Sequence, residues 1–177
     1  MLGDREFGAE VMAAVAEGAY GLPWRPELAD DILDMRRRLE ASRGERDLKR
    51  GFGGIVDIEF LVQLLQLKYG RGLPALRTPN TWQALEALRG AGLLAGGEYE
   101  VLRAGYDFLL RVQARLRIVH NRSLDEMPGA PEEVEKLARR LGFEAPDEFL
   151  AELERHTTRV RDLFLRLVLR ERPAAGG

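Results

Sequence analysis

Between Ile55 and Leu67 nearly every side chain is apolar: Ile55, Val56, Ile58, Phe60, Leu61, Val62, Leu64, Leu65 and Leu67. A helix of this composition has no face to offer water, so it is stable only with other elements packed around it on all sides. The segment therefore predicts the middle of a bundle. Directly before it runs Asp47-Leu48-Lys49-Arg50-Gly51-Phe52-Gly53-Gly54, a glycine-rich turn that carries a lysine. The 177 residues, 45% of them hydrophobic, are enough to bury the core of one domain without help from disulfides or metals.

The remaining segments read as helices arranged about that centre. Asp4 caps a first helix through Phe7, Val11, Val15 and Ala19, ending near Gly21 before Pro23 and Pro26. Leu28, Ile32, Met35 and Leu39 recur at helical spacing, with Arg36, Arg37 and Arg38 directed mostly elsewhere and Gly44 as the stop. Thr78 as cap and Pro79 as first residue open a helix through Trp82, Leu85 and Leu88, closed by Gly92. Glu98 to His120 is the longest periodic run, through Val101, Gly105, Phe108, Val112, Leu116 and Val119. Pro131 begins a short helix stopped by Gly142, and Asp147 caps a last one through Phe149, Leu153, Val160, Phe164 and Leu167. Alternation suited to a strand is missing, and only Asp47 to Lys49 allows a short extended piece. The expected fold is all-α, an antiparallel helical bundle with a glycine-rich loop before the central helix, formed by residues 1–172 as one domain with a loose tail at 173–177.

Charge and composition exclude several classes. A net charge of −2 from 27 basic and 29 acidic residues gives no general attraction to nucleic acid or anionic membrane. Cysteine is absent, which removes disulfide and thiolate chemistry and fits a reducing compartment. No basic-then-apolar leader opens the chain and no run is long enough to span a bilayer, so a cytoplasmic location is expected. His120 and His156 have no ligand spacing around them and read as surface or helix-end residues rather than zinc ligands.

On the central helix, Glu59, Gln63 and Gln66 fall on one stripe, to be satisfied by arginines of the bundle or turned toward another domain. Asp57 points about 200° away from Glu59, so the two cannot form a dyad. In the first turn its carboxylate favours the helix dipole. Gly51, Gly53 and Gly54 allow a tight bend whose amides, ahead of a helix N-terminus, suit a phosphate, or simply let the chain reverse against a neighbouring helix. The loop is neither a Walker A nor a dinucleotide-binding sequence. Arg111, Arg115 and Arg122 read as a solvated stripe pairing with Asp107.

The run Lys49-x-Gly51-x-Gly53-Gly54-Ile55-x-Asp57-Ile58-Glu59-Phe60-x-x-Gln63 resembles the signature of the glutamine synthetase adenylyltransferase family, in the helical domain that follows its nucleotidyltransferase domain. Gly3-Asp4, Leu76-Arg77, Asn80-Thr81, Gly92-Leu93-Leu94, Tyr106 and Phe108-Leu109 continue the likeness over nearly the whole chain, with a departure at Phe52, where a smaller or polar residue is expected. The resemblance implies a part of an enzyme that transfers AMP from ATP, with magnesium, to a tyrosine of glutamine synthetase and removes it again, regulated by glutamine and the PII signal protein. The Gly-Ser and Asp-x-Asp residues of that chemistry are not found here, and Asp30, Asp31 and Asp34 sit in an amphipathic helix instead. The expectation is therefore no catalytic or metal-binding residue in this chain, no cofactor for it alone, and no activity by itself. Lys49, Gly51, Gly53 and Gly54 would close over nucleotide or pack on the nucleotidyltransferase domain, with Asp57, Glu59 and Gln63 fixing the loop or the interdomain contact. Partners implied are that domain, glutamine synthetase and possibly the PII protein, with no nucleic acid and no membrane. The alternatives are a non-catalytic helical interaction module and the helical domain of a PII uridylyltransferase.

Overall fold

The computed structural model describes residues 18, 20–42, 46–120 and 125–172, without the side chains of 118–120. Among these residues the helices are α1 (Leu28–Ala41), α2 (Ile55–Tyr69), α3 (Thr81–Gly90), α4 (Gly96–His120), α5 (Pro131–Leu141) and α6 (Pro146–Arg170), with a 3-10 turn at Pro74–Leu76. The fold is all-α, as the sequence implies. Among the described residues one extended bridge, Asp47 with Glu126, ties the segment before the glycine loop to the one before α5. It is closed by Leu48 N–H to Asp125 O at 2.7 Å and Met127 N–H to Arg46 O at 2.8 Å. The helix expected from Asp4, the stop at Gly44, Arg122 and the 173–177 tail lie outside the described residues.

The α2 helix occupies the centre, packed against α1, α3, α4 and α6. Ile55, Val56, Ile58, Leu61, Val62, Leu64 and Leu65 are all buried, and only Leu67 of the apolar run is exposed. Where α4 crosses α6, Gly105 allows a close approach, since a Cβ there would stand 2.6 Å from Val160 Cγ2. Gln66 is buried, and its amide donates to Leu76 O at 2.6 Å and Thr78 O at 2.8 Å, fixing the 3-10 turn to the end of α2.

Several local expectations need correction. The buried stripe of α1 is Ala29, Leu33 and Arg36, about 100° round from the one through Leu28 and Met35, and Met35 is exposed. Asn80, not Thr78, caps α3: its side chain accepts from Gln83 N–H at 3.1 Å, and the Thr78 hydroxyl donates instead to Gln83 Oε1 at 2.8 Å. Pro146 opens α6, and Asp147 lies in its first turn without capping it. Asp107 bonds Arg103 at 2.9 Å and the Trp82 indole N–H at 2.6 Å, leaving Arg111 to lie over the Phe108 ring. Gly92 and Gly142 end their helices as expected, with φ of 71° and 89°.

His156 also departs from its expected surface position. It is buried and stacked on Phe108, ring centroids 4.6 Å apart, with Nε2 3.1 Å from Glu152 Oε1 and 3.1 Å from an Arg155 Nη. Burial, then the charge of Arg155, lowers its pKa from the ordinary value near 6.5, with Glu152 opposing and Arg159 adding to the depression. A base whose folded pKa is depressed contributes stability that is present above its unfolded pKa and lost as pH falls through the folded value. The urea midpoint is therefore expected to fall between pH 7 and pH 5, and His156→Gln to flatten that part of the profile, as read by fluorescence-monitored unfolding.

Candidate functional site

Asp57 stands in the first turn of α2, wholly shielded from solvent. A carboxylate cannot be carried there by a helix dipole alone, because the desolvation cost is several kcal/mol. Two guanidinium groups from distant parts of the chain meet it. Arg36 of α1, 1% exposed, donates from Nε to Asp57 Oδ1 and from an Nη to the Gly51 carbonyl at 2.5 Å. Arg161 of α6 places Nε 3.0 Å from Asp57 Oδ2, a charge contact whose N–H is not directed at the oxygen. Glu40 closes the cluster, receiving Arg161 at 2.6 Å and lying 3.2 Å from the other Nη of Arg36. Two cations thus face two carboxylates. Burial raises the Asp57 carboxyl above its ordinary range, and Arg36 and then Arg161 pull against that rise.

The cluster fixes the glycine loop. Gly51 is held through its carbonyl, and Gly53, with φ of 62°, lies so close to α6 that a Cβ would overlap the Thr157 carbonyl. Gly54 caps α2 in an extended conformation, and a Cβ on it would stand 2.7 Å from Leu48 O and 2.8 Å from Lys49 O. These glycines serve close packing. Most of the amides of the loop and of the start of α2 are engaged inside the domain. Gly51 N–H bonds Asp47 O, Gly54 N–H bonds Gly51 O, and Ile55 and Val56 bond Leu48 O and Lys49 O. Asp47 Oδ1 accepts from the Lys49 and Arg50 amides at 2.9 and 2.8 Å. The Lys49 side chain forms no ion pair among the described residues, and Phe52 projects outward at the loop tip, 50% exposed.

The residues singled out in the sequence are therefore divided. Asp57 and the three glycines come together with Lys49 in one loop-and-helix unit. Glu59 turns to the opposite side, where Tyr106 OH donates to it at 3.4 Å, and Gln63 is exposed one turn further on. Arg36, Arg161 and Glu40 escaped the sequence reading. The signal was present: an aspartate among the apolar residues that open α2 demands a base, and Arg36 shares a stripe with Ala29 and Leu33.

The architecture is a helical unit built round a glycine loop and a central apolar helix. A family model described as GlnD PII-uridylyltransferase matches residues 27–168, and the chain belongs to that family. Among curated proteins it is similar to enzymes named bifunctional glutamine synthetase adenylyltransferase/adenylyl-removing enzyme. The one from Streptomyces avermitilis is 34% identical over 95% of this chain and 17% of its own length. Those from Nocardia farcinica and a Bradyrhizobium strain are 34% and 31% identical, over 96% and 81% of this chain and 18% and 16% of their own lengths. The chain thus spans about a sixth of the relatives it matches.

The two accounts of Asp57 differ in magnitude. A carboxylate serving only the helix dipole contributes about 0.3–1 kcal/mol, whereas breaking a buried ion pair costs about 3–5 kcal/mol. Asp57→Asn is expected to fall in the second range by urea denaturation. A loss under about 1 kcal/mol would return Asp57 to the dipole role.

Proposed function

We propose that this chain is the helical domain of an enzyme that adenylylates and deadenylylates glutamine synthetase, and that the glycine loop is the part of it presented to the enzyme's nucleotidyltransferase domain. The observation that carries this reading is the way the buried Asp57–Arg36–Arg161 cluster holds the loop at one side of the domain, while the Lys49 ammonium beside it forms no ion pair among the described residues. Such a loop is preorganised for contact, which lowers the entropic cost of docking. Because the amides of Gly51, Gly54, Ile55 and Val56 are already bonded internally, the group of the loop that meets a phosphate of ATP in this reading is the Lys49 ammonium, acting as a point charge.

In this reading ATP and magnesium are handled by the neighbouring domain, where the catalytic carboxylates lie. Among the described residues no three His, Asp or Glu side chains assemble to hold a metal ion. Glutamine synthetase is the substrate of the whole enzyme, the PII protein is a candidate regulator, and the setting is cytoplasmic. No helix among the described residues is long and apolar enough to cross a membrane.

Two measurements test this. The purified 177-residue chain is expected to transfer no label from α-labelled ATP to glutamine synthetase. In the full-length enzyme, Lys49→Ala is expected to raise KM for ATP several-fold with kcat little changed, and unchanged kinetics would remove Lys49 from the nucleotide's surroundings.

A further inference from the structure

Among the described residues α2 is covered on every side but one. Phe60, Gln63 and Leu67 recur at i, i+3 and i+7, and on this stripe Phe60 is half-buried, Gln63 exposed and Leu67 38% exposed. A helix with no wet face is not satisfied by a side left to water. The α1 helix borders the gap. Its Asp30 is turned to α6, pairing at 2.7 Å with Arg172 just past the end of that helix. Ile32, Met35 and Leu39 stand about 140–200° round α1 from Asp30, facing the side of α2 that α6 does not cover. Met35 is 54% exposed, and Ile32 and Leu39 are half-buried. Phe60 and Leu67 of α2 and these three residues of α1 thus line one apolar trough.

The first segment of this same chain has the complementary pattern. In residues 4–19, Phe7, Val11, Val15 and Ala19 form one stripe at helical spacing, and Glu6, Glu10 and Glu17 form another about 140° away. One side is apolar and the other acidic. The point at which the segment ends is known from its described residues. Gly18 and Tyr20 are helical, and the Tyr20 ring lies at the foot of α2, where a Cβ on Gly70 would stand 2.9 Å from Tyr20 Cδ1. The Arg77 guanidinium covers that ring at 5.3 Å. As a helix, residues 4–19 span about 24 Å, against about 22 Å for the 15 residues of α2. Length, end point and apolar stripe all match the trough.

We propose that residues 4–19 dock as a helix along this open side, parallel to α2 and antiparallel to α1, with Phe7, Val11 and Val15 in the trough and the three glutamates in solvent. Apolar burial drives the docking, and the Tyr20 contact with Gly70 sets where it starts. Glu59 and Gln63, which the sequence offers for an interdomain contact, then belong to the packing of this domain itself. The glycine loop is left as the surface for a neighbouring domain. The docking stands on the geometry of the bundle and not on the enzymatic reading.

The chain has no cysteine, so a pair introduced into its 177 residues is read without background. Gln63→Cys is combined in turn with Val11→Cys, Val15→Cys and Ala13→Cys, the last lying about 200° round the helix from Val11. A disulfide needs Cα atoms within about 7 Å. On mild oxidation at least one valine position is expected to form an intramolecular disulfide in several-fold higher yield than Ala13→Cys, as read by mass spectrometry of the digested chain. Disulfides between two chains, equal yields from Ala13→Cys, or none from either valine position would each overturn the proposal. In the cysteine-free chain, Val11→Asp combined with Val15→Asp is expected to lower the urea midpoint, while Glu10→Lys on the solvent side leaves it unchanged. Equal midpoints for these two variants would also overturn it. Neither measurement involves ATP or glutamine synthetase, so failure here leaves the Lys49→Ala test of the enzymatic reading untouched.

Discussion

A single carboxylate sealed in an apolar helix governs this molecule. Asp57 has no solvent to stabilise it, so α2 can take its place only when Arg36 and Arg161 arrive together. These residues lie on α1 and α6, near opposite ends of the described chain, and a structure that satisfies them has fixed the positions of both helices about the centre. Hydrophobic burial alone would not do so, because leucine faces tolerate rotation and sliding while two guanidinium groups meeting the two oxygens of one buried carboxylate do not. The cluster contributes uniqueness of packing more than net stability, since a well-packed apolar replacement of a whole buried ion group is often neutral.

The same cluster shapes the surface. Arg36 reaches past Asp57 to the Gly51 carbonyl, and Arg161 reaches to the Phe52 ring, so a feature of the core is transmitted to the loop one residue at a time. The glycines complete this by letting the loop backbone touch α6 at Thr157 and the 48–49 carbonyls. A loop tied down at each step presents its exposed groups in one geometry, which is what a contact surface requires and what a mobile phosphate flap would lack. The internal use of the amides and the outward projection of Phe52 are two sides of one design.

Most of the architecture was legible because it follows from periodicity. The apolar run of α2, the proline opening of α5, and the glycine ends at Gly92 and Gly142 are local signals with local causes. What could not be read locally was the partner of each polar group. The stripe through Leu28 and Met35 looks more apolar than the one through Ala29, Leu33 and Arg36, and α1 turns the second inward because its arginine answers a carboxylate 21 residues away. His156 was misplaced for a similar reason: its aromatic partner Phe108 lies on another helix. Of the candidate site, the glycines, Lys49 and Asp57 were visible in the sequence, and Arg36, Arg161 and Glu40 were not.

The distinction between phosphate cradle and docking loop turns on hydrogen-bond supply. A glycine-rich turn before a helix binds an anion when its amides are free and convergent, and here those of Gly51, Gly54, Ile55 and Val56 already serve carbonyls of the same turn and of residues 47–49. Freeing them for a nucleotide would require breaking bonds that hold the loop, with each buried amide left unpaired costing about 1–3 kcal/mol. A surface contact made through Phe52 and Lys49 requires no such loss, because both side chains already stand outside the internal network. The loop therefore favours recognition by its side chains, and the backbone that seemed its active part serves to hold them in place.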